Sequence, residues 1–297
     1  MKNKTIYALG FFDGVHMGHQ ALLKECRRLA DEAGCMAAAV TFSSHPDTLV
    51  QGVTPRLINT IEDRVRLLKQ FGMDDVIVLP FDKKMMSMPW QDFLTLLVEC
   101  YGAAGLVCGH DFRFGNRGEG NAQLLAQYCR EKGMSCAVVP EQKLGEVTVS
   151  STHIRVLLES GDVEQANRFL GHPHILSGEV VSGRKLGRTL GIPTANLAIP
   201  AGVARLPFGV YACLAEVDGT THIAVTNIGN RPTVGGHRIT VEPWLLDFDG
   251  DLYGRQLTLR FYRFLRPEKK FPTLDALKEE IGKNAAQTRK FFENNAK

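Results

Sequence analysis

Long apolar runs are missing from this 297-residue sequence. None approaches the ~20 residues that a membrane-spanning helix needs, so no membrane partner is expected. Runs of lysine or arginine are missing too: the formal net charge is only +3, and no basic patch or aromatic RNA-binding motif stands out. That removes the electrostatic footprint of a nucleic-acid binder. The seven cysteines are odd in number and never spaced CxxC, a pattern read as core thiols in a reducing cytoplasm rather than as disulfides. The opening Met1-Lys2-Asn3-Lys4 is followed by an apolar stretch that Asp13 cuts short, with no small-residue cleavage site, so it reads as a strand and not as a signal peptide. What remains is 44% hydrophobic and 23% charged, an ordinary globular composition long enough for about two domains. A cytoplasmic location is expected, and no protein partner is indicated.

Glycine and histidine are concentrated where the chain is most informative. Gly10-Phe11-Phe12-Asp13-Gly14-Val15-His16-Met17-Gly18-His19 comes after the β-prone Thr5–Leu9 and precedes Gln20–Ala30, whose Leu22, Leu23, Cys26, Leu29 and Ala30 share one helical face, with Gly34 as the stop. A strand–glycine turn–helix unit leaves backbone N–H groups and a positive helix end facing outward, which favours a phosphate. Two readings of His16 and His19 stand side by side. They are donors to nucleotide phosphates, or a His-x-x-His pair holding a metal; the latter needs a third ligand and a rigid helix, and Gly18 argues against that rigidity.

Alternation continues through the first half. Strands are predicted at Met36–Phe42, Asp75–Leu79, Ala104–Cys108 and Ser135–Val139, with helices near 61–71, 90–101 and 121–132. This pattern predicts a parallel sheet covered on both faces, with ligands outside the carboxyl ends of the strands. The segments that leave those ends are therefore the candidates for chemistry. Strand two leads into Ser43-Ser44-His45-Pro46, strand four into Gly109-His110-Asp111-Phe112-Arg113-Phe114-Gly115, and strand five into Ser150-Ser151-Thr152-His153-Ile154-Arg155. A guanidinium at Arg155 suits a departing pyrophosphate.

These motifs resemble the HxGH nucleotidylyltransferase superfamily, and in the longer forms GxFDGxHxGH, GxDFRFG and SSTxIR the front half of bacterial FAD synthetases. The resemblance implies a Rossmann-like domain that binds ATP and FMN. His16, His19 and Arg155 would be catalytic, and Gly10, Phe11, Asp13, Gly14, Gly18, Asp111, Arg113, Ser151 and Thr152 would line the ATP and phosphate site. Ser44 stands where that family usually has proline, and Phe11 where Asn, Thr or Val is commoner.

Beyond a helical pattern at 156–158 and 163–170, Gly171-His172-Pro173-His174 reads as a linker with solvated histidines. Short strands are predicted at Leu176–Val181, Gly209–Val217, His222–Ile228, Arg238–Leu246 and Gln256–Leu265, then an amphipathic helix from Leu274 through Ile281 toward Phe292. Many strands without intervening helices predict a small antiparallel barrel. Gly183-Arg184-Lys185-Leu186-Gly187-Arg188 is a glycine-spaced basic loop suited to phosphates. In Pro193-Thr194-Ala195-Asn196, side chains two apart on an extended chain point the same way and offer hard oxygens suited to Mg²⁺.

This half resembles riboflavin kinase along nearly its whole length, through PTAN, Thr226–Thr233 and Val241–Phe248. The resemblance implies an antiparallel β-barrel with a terminal helix, Glu242 as catalytic base, and Thr194 and Asn196 as metal and phosphate ligands. Gly183, Lys185, Gly187 and Arg188 would bind ATP, and Asn227, Arg231 and Arg289 the flavin. Val234, Pro243, Asn284 and Thr288 depart from the family pattern. The whole chain is thus similar to bacterial bifunctional riboflavin kinase/FAD synthetases, with domains expected at 1–171 and 172–297. Riboflavin, FMN, FAD and ATP are then substrates or products, Mg²⁺ accompanies ATP, and the flavins are not prosthetic groups.

Overall fold

The structure, a computed structural model, describes residues 4–182, 192–198, 202–233 and 236–295, the side chains of 231–233 and 236–238 excepted. Expected phosphate ligands Gly183, Lys185, Gly187 and Arg188 lie outside the described residues, as does Val234. The chain divides into two compact units, Met1–Ser151 and Thr152–Lys297.

The first unit is built on β1 (Thr5–Leu9), β2 (Met36–Phe42), β3 (Asp75–Leu79), β4 (Ala103–Gly109) and β7 (Ser135–Val139). They pair in parallel in the order β3-β2-β1-β4-β7. Two short hairpins, β5 (Arg113–Phe114) with β6 (Gly120–Asn121) and β8 (Lys143–Leu144) with β9 (Val147–Thr148), stand apart from this sheet. Every residue of β1 is buried, as a central strand covered on both faces requires. Helices α1 (Met17–Ala33), α3 (Ile61–Gln70), α5 (Trp90–Tyr101) and α6 (Ala122–Glu131) connect the strands, with short α2 (Pro46–Val50) and α4 (Lys83–Met86) between them. One face of the sheet packs Tyr7, Leu9, Val40, Leu106 and Cys108 against Phe93, Leu94, Leu97 and Leu125 of α5 and α6. Successive strands leave β1 in opposite directions, so the order reverses between β1 and β4. That switch point is where open α/β sheets leave a crevice for a ligand.

α1 begins earlier than the apolar periodicity indicates. His16 is its N-cap and Gly34 its left-handed C-cap, so both histidines of the motif belong to the first turn of the helix.

The second unit holds α7 (from Ser151 to Ser160), α8 (Val163–Leu170), five antiparallel strands and α9 (Leu274–Asn295). The strands β10 (His174–Glu179), β14 (Gln256–Pro267), β11 (Gly209–Val217), β12 (Thr220–Thr233) and β13 (Gly236–Leu245) pair in that spatial order. Its two edges, β10 and β13, are bridged by the segment around Leu197, which pairs with both Val180 and Val241. Val181 N–H donates to Asn196 O at 2.8 Å, and Leu197 N–H to Val241 O at 2.9 Å. The PTAN segment therefore closes the sheet into the expected barrel and covers edges that would otherwise be unpaired.

One sequence expectation changes here. The histidines after Gly171 do not form a solvated linker: His174 starts β10 and is only 3% exposed. The reason is α8, whose Asn167 accepts from His174 N–H at 2.7 Å and donates to Phe261 O at 2.8 Å. The same contacts tie α8 to the barrel within the unit Thr152–Lys297.

Candidate active sites

The turn after β1 is wound tightly. Phe12, Gly14 and Val15 all have positive φ, at 60°, 83° and 42°. For a β-branched residue such as Val15 this is an outlier that persists only where its surroundings enforce it. Three bonds do so: Gln20 donates to Val15 O at 2.8 Å, Thr41 Oγ1 to Phe11 O at 2.7 Å, and Ser151 Oγ to Asp13 O at 2.8 Å. Asp13 is buried beneath the turn, where its Oδ1 accepts from Ile58 N–H at 2.8 Å and Asn59 N–H at 3.4 Å. Its carboxylate thus fixes the turn from behind and is not among the pocket's lining groups.

His16 and His19 stack face to face, ring centroids 3.6 Å apart and 14° from parallel. Gly18 permits this, because a Cβ there would meet the His16 ring at 3.2 Å. His16 Nδ1 accepts the His19 backbone N–H at 3.3 Å, so its own proton sits on Nε2 when the ring is neutral. Burial holds the His19 pKa well below 6.5, with His16 and Arg64 adding to the effect. With its proton disfavoured, the His19 imidazole at a helix N-terminus meets an anion as a hydrogen-bond donor rather than as a fixed cation. The metal reading finds no third ligand, since among the described residues no group of three or more His, Cys, Asp or Glu could hold a metal ion.

The crevice at the switch point has a volume of about 470 Å³, within the range of small-molecule sites. Gly10, Phe11, His16, Gly18 and His19 line it from β1, Asp111 and Arg113 from the β4 side, and Ser151 from the chain after β7. Motifs separated by up to 141 positions in sequence therefore meet at one edge of the sheet. His110 and Gln142 also line the crevice, and His45 stands with its ring edge-on to Phe11 at 4.7 Å. Thr152 and Arg155 lie in the opening turns of α7, where Arg155 Nη2 donates to Thr152 Oγ1 at 3.2 Å.

Glu242 in the second unit sits in β13 directly opposite Asn227 of β12. On its other side runs the PTAN segment, with Ala195 N–H donating to Pro243 O at 2.9 Å and Leu197 paired to Val241. That register places Asn196 across from Glu242. Pro243 lacks an N–H, yet its carbonyl is used, which is how a proline fits an outer strand. Thr194, Asn227 and Glu242 share a pocket of about 370 Å³ with Ile192, Trp244, Arg266, Phe271 and Asn284. Thr194 also lines an adjoining pocket of about 320 Å³ walled by Pro193, Phe248, Asp249 and Tyr253. One threonine hydroxyl thus stands between an apolar pocket large enough for part of an aromatic ring system and a more polar one.

Arg289 is placed differently from Asn227, another expected flavin ligand. It makes a two-pronged ion pair with Asp247, both N···O distances 2.7 Å, and does not line the Glu242 pocket. Sequence reasoning missed Arg266, whose Nε donates to Asn284 Oδ1 at 3.1 Å and which pairs with Glu280 at 3.2 Å. The signal was faint, because an arginine near a strand end is ordinarily solvated.

Comparison with known proteins matches each half separately and then the whole. A family model described as FAD synthetase matches residues 1–153, and one described as riboflavin kinase matches residues 170–292. The bifunctional riboflavin kinase/FMN adenylyltransferase of Listeria monocytogenes is 33% identical over 290 residues, covering 97% of this chain and 92% of its own. Its counterpart in Pseudomonas fluorescens is 37% identical over 293 residues, covering 96% and 92%. A solved structure from Streptococcus pneumoniae, named as a macrolide-efflux protein, superposes with a TM-score of 0.85 at 28% identity over 97% of both chains. Among the described residues here, no helix is long and apolar enough to cross a membrane. Two sites in two units, each matched by its own model and both matched together by full-length relatives, leave one assignment: the chain belongs to the bifunctional riboflavin kinase/FMN adenylyltransferase family.

Proposed function

We propose that the second unit transfers the γ-phosphate of ATP to the 5′-hydroxyl of riboflavin, giving FMN and ADP. The first unit then transfers the adenylyl group of a second ATP to the FMN phosphate, giving FAD and pyrophosphate. The observation that carries this reading is the convergence, in one chain, of an HxGH crevice at a sheet switch point and a Glu242 pocket at a barrel seam.

Glu242 accepts the riboflavin hydroxyl proton as the oxygen attacks, a role that general-base chemistry assigns to a carboxylate within reach of the hydroxyl. The Thr194 hydroxyl and Asn196 side-chain carbonyl are hard oxygen donors that fit Mg²⁺, which would neutralise phosphate charge when bound. The Glu242 pocket takes the flavin ring against Trp244 and Phe271, with Asn227, Arg231 and Arg289 as the flavin ligands the family implies.

In the first unit no covalent enzyme intermediate is needed, because the FMN phosphate is itself the nucleophile. His16 Nε2–H and His19 donate to the α-phosphate as charge develops, and the N-terminus of α1 adds its dipole. Ser151 and Arg113 hold the triphosphate and Asp111 lies near the nucleotide, while Thr152 and Arg155 are the further phosphate ligands that the family implies. Gly10, Gly14 and Gly18 keep the turn low enough for phosphate to approach.

Supplying each step alone tests the division. The protein with FMN and ATP should make FAD without riboflavin, and with riboflavin and limiting time should make FMN first. Failure of either half-reaction removes the role given to that unit.

A further inference from the structure

Neither proposed reaction uses Arg64, yet it is the bulkiest fully buried side chain among the described residues. It lies in α3 on the face of Leu67 and Leu68. Its Nη1 donates to Thr41 Oγ1 at 3.2 Å and to Phe42 O at 3.0 Å, both at the carboxyl end of β2. Its Nε and Nη2 are buried without a hydrogen-bond partner. Its guanidinium carbon stands 4.0 Å from the centroid of the Phe11 ring, a cation–π distance. Thr41 closes the circuit, since the hydroxyl that accepts from Arg64 donates to Phe11 O at 2.7 Å. A buried guanidinium with unsatisfied N–H groups is too expensive to be ordinary packing, and calls for an explanation in function.

Resting on the adenylyl-transfer reading above, we propose that Arg64 is a positioning residue for that step, acting through Phe11 and the stacked His16–His19 pair. Phe11 lines the crevice, and Arg64 on its face with His45 at its edge holds the ring as a wall. The Phe11 ring supplies the π-face that Arg64 occupies. The second effect is electrostatic. A fixed cation below the turn disfavours a proton on the imidazoles, the direction in which Arg64 acts on His19. Asp13 beneath the turn and Glu62 beside Arg64 oppose it. His110, Asp111, Arg113 and Glu141 face the same crevice from the other side.

The test is the pH dependence of FAD formation from FMN and ATP by the full-length chain, comparing wild type with Arg64→Met and Arg64→Lys. The substrate phosphate titrates near pH ~6 in every case, so only differences between variants count. Arg64→Met removes the cation and should move the acid limb upward by about one pH unit, an about tenfold loss of activity on that limb. Arg64→Lys keeps the charge and loses the planar fork. Its limb should stay with wild type while KM for FMN or ATP rises.

Superimposable acid limbs for wild type and Arg64→Met would overturn the proposal, as would an Arg64→Lys limb displaced as far as that of Arg64→Met. If Arg64→Met does not fold, Arg64→Gln, which keeps hydrogen-bond donors without the charge, takes its place: its acid limb must move upward, and a limb superimposable on wild type overturns the inference. A wild type that forms no FAD at any pH contradicts the adenylyl-transfer reading itself, a result distinct from either outcome for Arg64.

Discussion

Stacked as they are, His16 and His19 cannot both carry a proton without strong repulsion, and burial keeps the proton off His19, so the part of His19 in adenylyl transfer is hydrogen bonding by a neutral ring. Removing one ring removes a donor aimed at developing charge, a loss of the order of 10²–10³ in rate. His19→Ala should therefore lower FAD formation from FMN by about that factor, while FMN formation from riboflavin continues; chromatography of the flavins reads both. Because His19 acts as a neutral ring, activity is lost as pH falls through its lowered pKa and not as pH rises. Glu242→Gln should do the reverse, cutting FMN formation by roughly 10²–10⁴ and leaving FAD formation from supplied FMN intact. An unchanged kinase rate would remove Glu242 as the base. Asn284 and Thr288 are tied into the fold at this same scale. Thr288, fully buried, donates its hydroxyl to Asn284 O at 2.8 Å, and Asn284 Oδ1 accepts from Arg266. Neither of these side-chain oxygens is left without a partner.

The decisive element is the PTAN segment, which is at once a seam of the barrel and one wall of the Glu242 pocket. Gly178 of β10 marks how closely it packs: a Cβ there would stand 2.5 Å from Ala198 O. Gly178→Ala should push the segment outward, costing about 1–3 kcal/mol of stability. FMN formation should fall with it while FAD formation from FMN persists; calorimetry and the two flavin assays measure the split. β10 carries a second consequence in His174, whose pKa burial lowers to about 3. The unfolded chain takes that proton near 6.5, so the stabilisation is complete above pH 6.5 and is lost as pH falls from there toward 3. Its slope is up to ~1.4 kcal/mol per pH unit. His174→Leu should flatten the stability–pH curve in that window, as urea melts at several pH values would show.

Elements and motifs were legible in the sequence to different degrees. Strand–helix alternation and glycine punctuation place the five strands of the parallel sheet, and the motif resemblance identifies the segments at their carboxyl ends. Periodicity could not show that Arg64 faces inward, because it reads as an ordinary charge on an amphipathic helix. Nor could it show that His174 belongs to a strand, since that depends on Asn167 seven residues earlier. Closure by an extended segment with no strand pattern of its own was likewise hidden. Its register is fixed by hydrogen bonds to Asn196 O from Val181 N–H, 15 positions earlier, and from Leu197 N–H to Val241 O, 44 positions later, rather than by local propensity.

At the scale of the whole molecule, the product of one unit is the substrate of the other, and each unit carries its own pocket and its own core. The single-residue variants above should accordingly separate the two activities without abolishing both. The most direct measurement is a time course of flavins after the purified full-length chain is mixed with riboflavin and MgATP. FMN should rise first and then give way to FAD. FMN that accumulates with no FAD at any time would contradict the two-site assignment, leaving the HxGH crevice as a nucleotide site without turnover.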